Sequence, residues 1–97
     1  MNAKVTVVAR ISVVQGHEHV VTQALREAVT ATQSEDGCEL YQLFETHGQP
    51  NELVLIERWR DEAALQAHLA GPAFTVLAAV LDGKAALQVS TLAALTN

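Results

Sequence analysis

Apolar residues alternate with polar ones at four places along this chain, and the segments between carry helical spacing. Lys4–Val14 alternates, with Val5, Val7, Ala9, Ile11 and Val13 on one face and Thr6, Val8, Arg10, Ser12 and Val14 on the other. A period of two predicts a strand. His17–Ser34 has a period near 3.6, with Val20, Val21, Ala24, Leu25, Ala28 and Val29 in one stripe, which predicts a helix. Glu18 in its first turn suits the helix dipole, and Asp36-Gly37 stops it. Cys38–Thr46 is a second strand, with Leu40, Gln42 and Phe44 opposed to Tyr41, Leu43 and Glu45. The polar run His47–Asn51 then predicts a hairpin loop longer than two residues. Glu52–Arg60 is a third strand, with Leu53, Leu55, Glu57 and Trp59 on one face and Val54, Ile56, Arg58 and Arg60 on the other.

Asp61 is a natural N-cap for a helix over Glu62–Ala70 that has Leu65, His68 and Leu69 on one side. Gly71-Pro72 interrupts this helix, and proline at a first helical position restarts it with a stripe of Phe74, Leu77, Ala78 and Leu81. Asp82-Gly83 ends it, Lys84–Leu92 returns to alternation, and Ala93–Asn97 is a tail. The order β-α-β-β-α-β, with the second helix broken, predicts an α+β fold: a ferredoxin-like antiparallel four-stranded sheet with helices on one face. The other face is expected to be covered. The set Val5 to Val13 and the two-sided third strand argue for that, and the simplest cover is a second copy of the chain, sheet against sheet.

Composition narrows the function classes. The 97 residues make one domain, 1–97, with a core over 3–93. Apolar residues are 49% of the chain, enough to favour self-association in so small a domain. A net charge of −5 without a basic cluster argues against nucleic acid and anionic membrane as partners. Cys38 is the single cysteine, which rules out an internal disulfide and fits a reducing cytoplasm. The first residues alternate and do not form a signal peptide. The longest apolar run, Ala73–Leu81, is too short to span a bilayer.

The candidate chemistry lies mostly in Leu53–Phe74. An inward His68 offers an imidazole for proton transfer, or it packs against the sheet. Trp59, the sole tryptophan, is either a flat pocket wall or a core or interface residue. Glu57 on an apolar face needs a partner, for which Arg10 is a candidate. Tyr41 either donates into a cavity or is an ordinary strand aromatic, and Phe74 packs its helix onto the sheet. His17 and His19 are two apart at a helix start and do not share a face, while His47 lies in the hairpin loop. No metal site is expected. Phosphate loops, a dinucleotide fingerprint, a nucleophile elbow and CxxC are all absent.

Glu35-Asp-Gly-Cys-Glu-Leu-Tyr41, Phe44, Glu57-Arg-Trp59, Leu65, His68-Leu69 and Pro72-Ala-Phe74 occur in an order that resembles the antibiotic biosynthesis monooxygenase (ABM) domain family. The resemblance implies a dimeric α/β barrel of ferredoxin-like protomers with a pocket between sheet and helices. It also implies, from several members, oxidation of quinols or polycyclic phenols by O2 without metal, flavin or haem. On that pattern His68 and Trp59 are the catalytic candidates, His68 at a substrate hydroxyl and Trp59 flanking the ring. Tyr41, Glu57, Leu65, Leu69 and Phe74 are the substrate-binding candidates. Haem-degrading relatives have Trp at the position of His68, an iron-binding His at that of Ala78, and an Asn on the first strand that Val5–Val14 lacks. These departures disfavour haem chemistry. The expectation is therefore a cytoplasmic homodimeric monooxygenase with no cofactor, using O2 and a small aromatic substrate. The alternatives are a non-catalytic dimeric ligand-binding or stress-response protein, and an isomerase of a small phosphorylated carbonyl compound.

Overall fold

A computed structural model describes residues 3–97. The chain runs β1 (Val5–Val13), α1 (Glu18–Thr32), β2 (Cys38–Thr46), β3 (Gln49–Trp59), α2 (Glu62–Leu69), α3 (Pro72–Leu81) and β4 (Ala85–Leu92). The strands form one sheet in the order β2-β3-β1-β4, with every neighbouring pair antiparallel. The predicted β-α-β-β-α-β order and the ferredoxin-like α+β fold are both present.

The register determines which residues meet. Val7 pairs with Glu57 and Thr91, Ala9 with Leu55 and Val89, and Ile11 with Leu53 and Leu87. Tyr41 pairs with Glu57 and Leu43 with Leu55. This face lies under the helices, where Val21, Leu25 and Ala28 of α1, Leu65 of α2, and Leu77 and Leu81 of α3 complete the core. Trp59, Ile11, Leu25 and Val21 are fully buried. Each full burial of a Val, Leu or Ile side chain is worth roughly 1.5–3 kcal/mol, so the sheet–helix layer holds the fold.

The Val5 to Val13 set is therefore covered by this chain's own helices and does not itself call for a partner. The larger apolar residues on the far face are Val8, Leu40, Phe44, Val54, Ile56 and Leu92, partly or largely exposed, with Arg10 and Arg58 among them. The hairpin loop also differs from expectation. It is the two-residue turn His47-Gly48, and β3 begins at Gln49. Gly48 supplies the positive φ, at 77°. An irregularity between Glu45 and Thr46, whose partners jump from Leu53 to Gln49, accommodates Pro50. Pro50 removes a donor there without breaking the strand, because it lies beyond Glu52, where the pairing with β1 ends, and the pairing with β2 is irregular at that point.

Asp61 caps α2 as predicted, accepting from the Ala64 N–H at 2.9 Å. Pro72 is at the first position of α3, after Gly71. Of the predicted α3 stripe, Leu77 and Leu81 are buried and Phe74 is half-buried, but Ala78 is exposed. The reason is that α3 is held by one narrow edge at i and i+4. Among the described residues no single helix is long and apolar enough to cross a membrane. The α2–α3 pair reaches that length only together, and it bends by 55° between the two helices.

Candidate functional site

The end of β3, the start of β2 and the middle of α2 converge at one end of the core. β2 and β3 are antiparallel, so the start of β2 lies beside the end of β3, with Cys38 opposite Trp59. The turn before β2 is thereby placed next to α2. Thr32 accepts from the Glu35 N–H at 2.9 Å, Glu35 accepts from the Cys38 N–H at 3.1 Å, and Gly37 accepts from the Arg60 N–H at 2.8 Å. Gly37 has φ +83°, and a Cβ there would run into the Cβ of Ala64 on α2. Glycine is needed for both the conformation and the approach.

Into this junction α2 projects His68, which is 3% exposed. Its ring centroid lies 4.6 Å from that of Trp59 at an interplanar angle of 30°, 5.5 Å from Tyr41 edge-on, and 5.7 Å from Phe74. Its Nδ1 is 2.8 Å from Glu35 Oε1. Its Nε2 has no hydrogen-bond partner among the described residues.

Glu57 is 5% exposed. Arg10 is not its partner, because Arg10 is on the opposite face, paired with Val54 and Gln88. The Trp59 indole N–H instead donates to Glu57 Oε1 at 3.0 Å. Residues i and i+2 share a strand face, which makes this bond local. Burial pushes the Glu57 carboxyl above the ordinary carboxylate range, and Glu35 adds to the rise. The Trp59 bond and His68 pull the other way. Burial, reinforced by Glu57, holds the Tyr41 phenol far above its usual value, so Tyr41 stays a neutral donor at working pH. Thr32, also buried, interacts with the Tyr41 phenol and pulls its value the other way.

Two hollows meet at His68 and Leu77. A cavity of about 70 Å³ lies between sheet and helices, walled by Tyr41, Glu57, Leu65, His68, Leu69 and Phe74 and floored by Val7, Ala9 and Ile11. It extends over Leu87, Val89 and Thr91 of β4. Leu87 and Val89 are 42% and 52% exposed, so the cavity opens to the outside along that strand. The second hollow is an open groove of about 800 Å³ between α1 and α2–α3, lined largely by alanines such as Ala24, Ala28, Ala31, Ala63 and Ala67, with Glu35 and Arg60 at one end. The groove is the larger, but polar groups suited to chemistry converge on the cavity. Drug-sized ligands usually occupy 300–1,000 Å³, so the enclosed part has room for no more than a small group.

All five expected substrate-binding residues and His68 line this cavity. Trp59 does not: it is fully buried and backs the His68 ring. Glu35 was missed as a site residue. Thirty-three positions separate it from His68, and the one pointer to it is the hairpin topology, which sets the start of β2 against the end of β3. Among the described residues no group of three or more His, Cys, Asp or Glu is placed to hold a metal ion.

Comparison with known proteins places the chain. The family described as Antibiotic biosynthesis monooxygenase matches residues 4–80. The Mycobacterium tuberculosis protein named Putative monooxygenase Rv0793 is 36% identical over 72 residues, covering 74% of this chain and 70% of that protein. The solved structure of Rv0793 superposes with a TM-score of 0.92 at 31% identity, covering 98% of each chain. PA3566 from Pseudomonas aeruginosa superposes with a TM-score of 0.92 at 27% identity, covering 99% of this chain and 98% of that one. With the same fold and a family match over most of its length, this chain belongs to the antibiotic biosynthesis monooxygenase family.

Proposed function

We propose that the protein is a cofactor-independent monooxygenase that oxidises a flat quinol or polycyclic phenol with O2. One observation carries the reading: His68, Tyr41 and Glu57 converge on an apolar cavity that opens over Leu87 and Val89. A substrate ring lies on the β4 shelf against Leu69 and Phe74, its hydroxyl towards His68. The imidazole takes the hydroxyl proton, and the electron-rich phenolate reduces O2. One oxygen atom enters the substrate and the other leaves as water. Tyr41, neutral, donates a hydrogen bond, and the apolar walls exclude water. Trp59 supports the His68 ring from behind. The name of the M. tuberculosis relative, with monooxygenase in it, supports the reaction class.

The active unit is a homodimer that covers the far sheet face with a second copy. The apolar strip of Val8, Leu40, Phe44, Val54 and Ile56 supports this. The protein acts in the cytoplasm, as its single, unpaired cysteine favours.

A second reading, a non-catalytic binding protein, draws support from the large alanine-lined groove. Isomerisation of a phosphorylated compound ranks last. No Arg or Lys lines the cavity, Arg60 is engaged by Asp36 at 3.1 Å, and Arg58 is held by Glu39 at 3.1 Å on the far face. The test is O2 uptake and quinone formation from reduced naphthoquinols and anthrones in air, against boiled protein. Turnover that is lost in His68→Ala supports the monooxygenase. Tight binding of flat ligands without turnover replaces it with the binding protein.

A further inference from the structure

A histidine can serve as a base at only one nitrogen at a time, and which one depends on what holds the other. In this protein Nδ1 is engaged, 2.8 Å from Glu35 Oε1. An ionised carboxylate only accepts, so the hydrogen in that bond is on Nδ1. In the neutral ring Nε2 is then the lone-pair nitrogen, and it has no partner among the described residues. The two residues also face different spaces. Glu35 lines the outer groove and not the cavity, whereas His68 lines both. The side chain of Glu35 is 24% exposed against 2% for His68. The carboxylate therefore keeps water on its far side while holding a buried ring.

The position of Glu35 does not depend on its bond to His68. The turn that carries it is closed by the Glu35 N–H to Thr32 and Cys38 N–H to Glu35 bonds, and tied to the end of β3 by the Arg60 N–H to Gly37 bond. Arg60 also clamps the neighbouring Asp36 through two bonds of 3.1 and 3.3 Å, and Gly37 lets the turn close onto Ala64. The turn that presents the carboxylate is thus built by bonds that do not involve the ring, as preorganisation requires.

We propose that Glu35 is the positioning residue of this site: it holds His68 in the Nδ1–H tautomer and so reserves Nε2 as the base that faces the substrate. This rests on the monooxygenase reading for its consequence, but not for its geometry. Glu35 touches no reacting atom. It acts by orientation, as the buried carboxylate of a hydrolase triad acts on its histidine.

The experiment reads the tautomer directly, by ¹⁵N NMR of histidine-labelled full-length protein, with His68→Phe to assign the signal. Wild type is expected to show a protonated Nδ1 and an unprotonated Nε2. In Glu35→Gln, which preserves shape, the amide can donate to Nδ1, and the proton is expected to move to Nε2. With a quinol substrate kcat is expected to fall on the order of 10²-fold with KM within about threefold, because orientation is lost and the cavity is not. A merely structural role would not move the proton. Glu35→Ala is the second variant, used if Glu35→Gln fails to fold. Wild type with the proton on Nε2, or a tautomer unchanged in both variants, overturns the proposal, as does undiminished kcat in a variant whose tautomer has switched. If the tautomer switches but wild type oxidises no quinol, the assignment of Glu35 stands and the monooxygenase reading falls.

Discussion

The Trp59 indole donates to Glu57 at 3.0 Å from two residues further along the same strand face, so the chain's sole tryptophan is the hydrogen-bond partner of its most buried carboxylate. Trp59→Phe removes the donor and keeps most of the ring. The Glu57 oxygen is then buried without a partner, which costs about 1–3 kcal/mol. Glu57→Gln leaves a neutral acceptor for the indole and is expected to cost less. A urea-denaturation cycle of the two single variants and the double variant checks this. Additive effects would mean that the bond contributes nothing.

The same carboxyl gives stability a pH signature. Burial raises the Glu57 pKa in the folded state above 4.5, so the folded protein binds this proton more readily than the unfolded chain does. Stability from this group therefore falls as pH rises from about 4.5 through the raised folded value. Glu18, Asp36 and Glu39 are lowered by their hydrogen-bond and ion-pair partners, and their contribution runs the other way, lost as pH falls. Subtracting the wild-type stability curve from that of Glu57→Gln isolates the first effect. The variant is expected to gain on wild type as pH rises through the window, and a flat difference would contradict the buried charge.

Much of this arrangement was legible in the sequence, because period-two and period-3.6 patterns report which face of an element is buried. The assignment of Leu53, Leu55, Glu57 and Trp59 to one face of β3 needs only alternation, and the register agrees with it. Other features were not legible, for physical reasons. His47–Asn51 is uniformly polar, so nothing in it marks where an irregular strand begins. Alternation separates the two faces of β1 but does not say which one the helices take, so Val5 to Val13 could be assigned to the wrong cover. Glu57 and Arg10 are opposite charges on neighbouring strands, and only their opposite parity, at Glu57↔Val7 and Arg10↔Val54, keeps them apart. Glu35 carries no local signal, because its meaning comes from the hairpin that brings the end of α1 against α2.

Gly37 tests how tightly that hairpin is built. Gly37→Ala puts a side chain at φ +83° and against the Ala64 Cβ. Gly83→Ala meets a similar φ, +76°, but open space. The left-handed conformation alone costs about 1–2 kcal/mol, and this is the full expected loss at Gly83. At Gly37 the loss is expected to be clearly larger, and Glu35 shifts away from His68 because the turn must back off from α2. Urea midpoints at constant m-value compare the two. Equal losses would mean that the close approach is not a constraint.

Phe44 tests the proposed dimer. It lies on the far sheet face, 40% exposed and outside the core under the helices, so Phe44→Glu leaves the sheet–helix packing in place and the monomer is expected to stay folded. In a sheet-to-sheet dimer the same change buries a charge against apolar residues of the second copy, which association does not tolerate without a partner for it. Sedimentation at micromolar concentration is expected to show wild type as a dimer and the variant shifted to monomer. A wild type that sediments as a folded monomer contradicts the dimer outright.

Val89 tests where the substrate enters. It pairs with Ala9 in the register and lines the cavity, yet it is 52% exposed. Val89→Trp adds bulk at the mouth without touching His68, Glu35 or Tyr41. β4 is an edge strand, and an aromatic residue suits it, so folding is expected to be unaffected. Flat aromatic ligands that use the β4 shelf should lose at least about tenfold in affinity, since about 1.4 kcal/mol of lost apolar contact is enough for that. Ligands that occupy the α1/α2–α3 groove should bind unchanged, because Val89 is not among its lining residues. Fluorescence quenching would be confounded by the added indole, so isothermal calorimetry is the measurement. Unchanged affinity for every flat ligand would move the binding site from the cavity to the groove, and with it the role of His68, the residue that lines both.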